Sequence, residues 1–113
     1  MERVSLADVD PSEAAADVHL ALLAGTDSMN VQHFEIGPDA VVEEHSHPHE
    51  QTGFLYEGEL TFLTDGEEID CGPGDSYAIP GGQPHSVENR GDVTARGVDI
   101  FSPPRENPNW QEG

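Results

Sequence analysis

Between residues 17 and 101 the chain alternates apolar and polar positions in short runs. Val18, Leu20 and Leu22 alternate with His19, Ala21 and Leu23. Gln32, Phe34 and Ile36 share one face, against Val31, His33 and Glu35 on the other. A period of two marks β-strands, whose successive side chains point to opposite sides. The same reading places strands at 17–24, 29–36, 40–45, 51–57, 59–64, 67–70, 76–79, 84–89 and 93–101. Turn formers separate them: Gly37-Pro38-Asp39, Gly58-Glu59, Asp65-Gly66, the CGPGD run from Cys71 and the PGGQP run from Pro80. Many short strands with even punctuation predict an all-β sandwich or barrel, with Phe54 and Tyr56 expected in its core. Two stretches read differently. Asp10, Pro11 and Glu13 form a weak helix-start pattern, long enough for about one turn. The tail from Ser102 to Gly113 is rich in Pro and Asn and cannot continue a central strand. It is expected to lie over the barrel, with Trp110 anchoring it to the barrel or to a partner subunit.

Length and charge narrow the function classes. A chain of 113 residues can bury one real core, so a single domain spanning 1–113 is expected. No apolar run approaches the roughly 20 residues that cross a bilayer. The N-terminal MERVSLADVD lacks the basic start and apolar stretch of a secretory signal, and the expected location is the cytoplasm. Asp and Glu number 23 against four arginines and no lysine, a net charge of −19. Such a charge repels phosphate backbones and anionic lipid surfaces, which argues against nucleic-acid and membrane partners. The acids are spread along the whole chain, as expected of a protein adapted to a salty cytoplasm, where screening removes the repulsion. The lone Cys71 can form no intramolecular disulfide. No positive group stands beside it to activate a thiol, so it reads as a small apolar residue at a strand end.

Three of the six histidines fall within five residues, His45-Ser46-His47-Pro48-His49. If this stretch is a strand, His45 and His47 share a face and their imidazoles can reach one metal ion. An isolated His-x-His is more often a surface pair beside a turn. Here Gln51 opens the next strand, sharing a face with Gly53, Leu55 and Glu57. His85 begins another strand after a Gly- and Pro-rich turn, and a barrel closing on itself could bring it alongside. His49 follows Pro48, which leaves its direction open, with a supporting place beside the ligands as one outcome. His19 and His33 read as packing or surface residues.

The run from Gly37 through His45, His47 and Gln51 to Gly58 resembles the first motif of the cupins. The run Gly74-DSYAI-Pro80-Gly-Gly82-QP-His85-SVE-Asn89 resembles the second. The chain is thus identified as resembling a small single-domain cupin, which implies a double-stranded β-helix, or jelly-roll barrel. The motifs occupy 37–58 and 74–89, with 15 residues between them and a C-terminal tail at 102–113. The resemblance implies one divalent transition metal, with Zn, Ni, Fe, Mn and Cu all open, held by His45, His47, Gln51 and His85. Two departures stand out. The loop from Gly37 to His45 is longer than the motif's, and Gln51 stands where many cupins carry Glu. Glu50 is the adjacent competitor; the six residues from Gln51 to Gly58 favour Gln51.

Four neutral ligands would leave a divalent ion its full charge, making it a strong Lewis acid that welcomes an anionic substrate oxygen. Imidazole and amide oxygen suit several of these metals. Four protein ligands on an octahedral ion leave open positions, as catalysis or ligand sensing requires. On the last strand, Asp99 and Phe101 share a face, and Pro103-Pro104 stiffens the turn that presents Arg105. If that face looks inward, Asp99 is a candidate acid or base, Arg105 a bidentate clamp for a carboxylate and Phe101 an apolar wall. If it looks outward, Asp99 and Arg105 are a surface pair beside a core Phe.

HSHPHEQ together with DIFSPPRE is similar to the small cupins of pectin and alginate breakdown that convert 4,5-unsaturated uronates to linear ketouronates. That resemblance implies a small anionic substrate and assigns pocket roles to Asp99, Phe101 and Arg105. Two other classes stand beside it: another metal-dependent cupin enzyme, such as an Fe(II) dioxygenase, and a non-catalytic ligand-binding module, since a fold does not fix a function. Small cupins commonly dimerise, and closing an exposed sheet edge gives a physical motive for a homodimer.

Overall fold

The computed structural model describes residues 1–105. A 3-10 turn at Leu6–Asp8 precedes ten strands: β1 Ser12–Ala15, β2 Val18–Gly25, β3 Asn30–Ile36, β4 Val41–His45, β5 Glu50–Glu57, β6 Leu60–Thr64, β7 Glu67–Cys71, β8 Ser76–Ile79, β9 His85–Glu88 and β10 Ala95–Ser102. Nine of them coincide, to within two residues, with the runs of alternating hydrophobicity. They form two antiparallel sheets. One has six strands in the order β1-β2-β3-β10-β5-β8, the other four in the order β4-β9-β6-β7. This is the jelly-roll barrel expected from the two motifs.

The inner faces of the sheets supply the core. Val18, Leu20, Phe34, Ile36 and Leu55 from the larger sheet pack against Leu60, Phe62 and Val87 from the smaller. Burying side chains of this size stabilises by roughly 1.5–3 kcal/mol each. Cys71 is buried at the end of β7, in the apolar role expected of it. Strand β5 shows the period of two plainly: Gln51, Gly53 and Leu55 are buried while Thr52, Phe54 and Tyr56 are exposed. Phe54 and Tyr56 are each 45% exposed, which corrects their expected place in the core. Aromatic character suggested burial, but the pleat gives the inward direction to their neighbours.

The N-terminal segment also differs from expectation. Instead of a helical turn, residues 12–15 form β1, an edge strand whose Ser12 and Glu13 pair with Leu20 and His19. The Glu13 carboxylate, which would cap a helix, accepts the Asp17 N–H at 3.1 Å. Asp17, in the left-handed region at φ 59°, turns the chain back into β2. An open sheet edge offers a ladder of backbone partners, and those outweigh a weak capping signal. His19, half-buried beside the Glu13 carboxylate at 3.6 Å, lies on this edge.

The turn chemistry was legible. Asp65 and Gly66 both have positive φ, 52° and 76°, in a two-residue hairpin that pairs Thr64 with Glu67. Gly58 has φ +80°, and a Cβ there would stand 2.7 Å from the Ala95 Cα, so both conformation and space require glycine. Asn89 ties the barrel's two halves. Its side-chain amide donates to the carbonyls of Ile36 at 2.8 Å and Val93 at 2.9 Å, and its oxygen accepts the Gly91 N–H at 2.9 Å. The side chain is 1% exposed. Truncating it strands buried partners, at about 1–3 kcal/mol for a group left unsatisfied. Asn89→Ala is therefore expected to lose about 2 kcal/mol in urea unfolding; a midpoint equal to the parent's would refute the role.

Candidate metal centre

The first and second sequence motifs meet because β4 pairs with β9. His45, the last residue of β4, is the cross-strand partner of His85, the first of β9. His47 lies two residues beyond the end of β4, not on it. The expectation that strand pleating aligns His45 and His47 is thus corrected: His47 reaches the same point from the loop. The ligating atoms of His45, His47 and His85 all lie within 4.8 Å of one another. His47 and His85 are buried, and His45 is partly buried.

Each of the three imidazoles is held by its Nδ1. His45 donates Nδ1–H to the Glu43 carbonyl at 2.9 Å, His47 to the His49 carbonyl at 3.1 Å and His85 to the Gln83 carbonyl at 2.9 Å. A carbonyl can only accept, so in the neutral ring the proton sits on Nδ1 and the Nε2 lone pair is free to ligate. Burial lowers the pKa of all three, and the positive Arg105 nearby adds to this; His47 falls to about 4. The rings are therefore neutral at ordinary pH, which is the form that binds metal.

Gln51, on β5, brings a side-chain oxygen to the same place. Its side-chain amide nitrogen hydrogen-bonds the Asp99 carboxylate, which turns its oxygen the other way. That oxygen stands 3.2 Å from His47 Nε2. With the His47 proton on Nδ1, these are two lone-pair atoms facing one point, an arrangement that a cation between them stabilises. Glu50, the competitor considered from the sequence, is exposed. The donor set thus fits a divalent transition ion: three imidazoles of fixed tautomer and one amide oxygen of fixed orientation.

The last strand faces inward. Asp99 and Phe101 are 7% and 1% exposed, and both line a cavity with His45, Gln51, His85 and Arg105. The cavity volume is about 50 Å³, room for a few waters. Arg105 is 3% exposed. Arg90 and Arg96 instead make surface ion pairs with Glu68, Glu88, Glu35 and Glu57, which contribute little to stability. The Arg105 backbone is pinned to the Asn30 side chain by two hydrogen bonds, at 3.0 and 3.2 Å. Its guanidinium carbon lies 5.3 Å from the centre of the Phe101 ring, within cation–π range. His49 takes the supporting place that was one of its open outcomes. Its carbonyl holds His47, and its ring packs against His47 and Phe101 at 5.5 and 6.2 Å.

Tyr77 is the residue that sequence reasoning missed. Its hydroxyl donates to Asp99 Oδ1 at 2.5 Å, and burial beside that carboxylate pushes the Tyr77 pKa up. Asp99 itself is raised to about 6, chiefly by burial; the hydrogen bonds from Tyr77 and Gln51 and the charge of Arg105 pull the other way. The Tyr77–Asp99 contact exists because the residue between them is glycine. Gly53 is the cross-strand partner of both Asp99 and Tyr77. A Cβ on it would stand 2.2 Å from the Tyr77 ring and 2.4 Å from Asp99 Oδ1. The signal in the sequence was the face shared by Gln51, Gly53 and Leu55, but the partner of Gly53 was not readable.

The cupin domain profile matches residues 32–101, spanning both motifs and the Asp99–Phe101 strand. The chain belongs to the cupin family. Over 111 residues this cupin is 33% identical to the tetracenomycin polyketide synthase protein TcmJ of Streptomyces glaucescens, covering 94% of this chain and 74% of that protein. Its fold is similar to that of KdgF from Halomonas sp., with a TM-score of 0.86 and 21% identity over 94% and 96% of the two chains. It is also similar to the polyketide cyclase RemF from Streptomyces resistomycificus, with a TM-score of 0.81 and 25% identity over 95% and 82%.

Two outcomes test this site. Protein reconstituted with Ni or Zn is expected to hold about one ion per chain by elemental analysis, since three imidazoles and an amide make one donor set. His47→Ala should lose most of that ion, and retention of a full equivalent would remove His47 from the ligand set. Gly53→Ala is expected to lose about 1–3 kcal/mol in thermal or urea unfolding, because the added methyl must displace Tyr77 or Asp99. An unchanged midpoint would mean that the two side chains part freely.

Proposed function

We propose that this cupin is a metal-dependent enzyme that opens an unsaturated uronate to its linear ketouronate. The observation that carries the reading is the inward-facing trio Asp99, Phe101 and Arg105 beside the imidazole cluster. The HSHPHEQ and DIFSPPRE runs, which resemble the uronate-converting cupins, support it.

The reaction is an isomerisation. The hemiacetal hydroxyl loses its proton as the ring C–O bond opens, and the ring oxygen leaves as an enolate oxygen. A proton returned to the neighbouring carbon of the double bond then converts the enolate to a ketone. One proton is taken and one delivered, with no oxidant, reductant or water consumed. Arg105, the buried arginine, binds the substrate carboxylate bidentately. Phe101 forms the apolar wall that excludes water beside it. Asp99, with a pKa of about 6, can both take and return the proton near neutral pH. Tyr77 and Gln51 hold the Asp99 carboxylate in place. His45, His47, His85 and Gln51 would hold a divalent ion, which would supply Lewis acidity at this end of the cavity.

A second reading, action on a polyketide, is favoured by the 33% identity to TcmJ. The cavity weighs against it. At about 50 Å³ it is well under the roughly 300–1,000 Å³ of drug-sized pockets, so one carboxylated ring suits it better than a fused multi-ring system.

The test is loss of the enone absorbance of a 4,5-unsaturated uronate at high salt, with metal-loaded protein and with chelator. Turnover that the chelator abolishes is expected. Asp99→Asn should lower it by about 10²–10⁴-fold while the ion is retained. No acceleration by the metal-loaded parent would end the uronate reading. Oxygen uptake under the same conditions would instead place the cupin among the dioxygenases.

A further inference from the structure

We infer that Gln32 determines ligand specificity, its side-chain carbonyl accepting a hydrogen bond from a hydroxyl of the bound molecule. The inference rests on the reading of the cavity as the site of a small carboxylated ligand. It adds a polar recognition point on the side of the cavity opposite the smaller sheet.

Gln32 sits in the middle of β3, next to β10, as the cross-strand partner of Asp99. It shares the inward face of β3 with Phe34 and Ile36, and all three line the cavity with Asp99, Phe101 and Arg105. The side chain is 2% exposed, and its Oε1 is fully buried with no hydrogen-bond partner. This position is unusual on two counts. Its inward neighbours toward the end of β3, Phe34 and Ile36, are large apolar groups, and an amide beside them is costly unless it is bonded. A buried carbonyl left unpaired is destabilising in its own right. Of the neighbouring amides, Asn30 bonds the Arg105 backbone through both its nitrogen and its oxygen, and Gln51 bonds Asp99 through its nitrogen. An acceptor kept unpaired in the wall of a cavity is therefore suited to a donor that arrives with the ligand. The nearby groups define that donor. Arg105 fits a carboxylate, Asp99 can accept a proton itself, and Gln32 offers a neutral carbonyl to an O–H. A polyhydroxylated ring acid meets all three; an apolar carboxylic acid leaves Gln32 unmet.

The experiment compares the parent with Gln32→Met, which matches the length and shape of glutamine but has no strong acceptor. Two probes are used on the metal-loaded protein: D-galacturonate, a hydroxylated ring acid, and cyclohexanecarboxylate, the bare ring acid. Calorimetry is expected to show that the parent prefers galacturonate and that Gln32→Met cuts this preference at least about fivefold. Cyclohexanecarboxylate should bind both proteins equally. Without ligand, Gln32→Met should unfold a few degrees above the parent, because an unsatisfied buried acceptor has been removed. A lower melting temperature for Gln32→Met, an undiminished preference for galacturonate, or a parent that favours neither acid would each overturn the inference. The enone assay is independent of these readouts. A parent that prefers galacturonate through Gln32 yet turns over no unsaturated uronate would overturn the proposed reaction and leave this recognition point standing.

Discussion

The pairing of β4 with β9 is the constraint on which the site depends. It sets His45 opposite His85 across 40 residues of chain, and it does so at the ends of both strands, where the backbone is about to turn. The turns then supply what regular strands cannot. Carbonyls of His49 and Gln83 in those turns, and of Glu43 where the β4 ladder is irregular, lie close enough to take the three Nδ1 protons. The result is a set of nitrogen lone pairs turned toward one place before any ion arrives. Because the rings are buried, they resist protonation, so the set keeps its ligating form.

A second network supports the first. Tyr77, Asp99 and Gln51 form a hydrogen-bonded row across β8, β10 and β5, the three neighbouring strands of the larger sheet. The row orients the Gln51 amide, turning its oxygen toward His47. It also holds a carboxylate inside the barrel, offsetting part of the rise in pKa that burial causes. Arg105 closes the far side, its backbone fastened to Asn30 and its guanidinium over Phe101. Structure and chemistry are coupled here: the groups that stabilise the inner wall are also those able to bind an anion and move a proton.

The outside of the molecule follows other rules. Arg90 and Arg96 sit among glutamates on the surface, where screening makes each pair worth little. Four positive charges against 23 negative ones leave most carboxylates unpaired and hydrated. Tail residues 106–113, including the anchoring place expected of Trp110, lie outside the described residues.

The sequence by itself determined the strand count to within one, the turns and the three clustered histidines. Those signals are local: a period of two, paired positive-φ turn residues, and imidazoles near Gly and Pro. It could not determine which face of β10 turns inward, because an Asp two residues before a Phe reads equally well as surface or pocket. Nor could it place Phe54 and Tyr56, whose aromatic character suggested the core while the register of β5 turned them out. Tyr77 escaped notice because its importance comes from Gly53 on a strand 24 residues away, and Gln32 because an amide becomes informative only when its carbonyl is seen to lack a partner. These are facts of pairing and burial between distant segments. Tertiary structure decided them because strand order and register choose which side chains meet, and no local pattern encodes that choice.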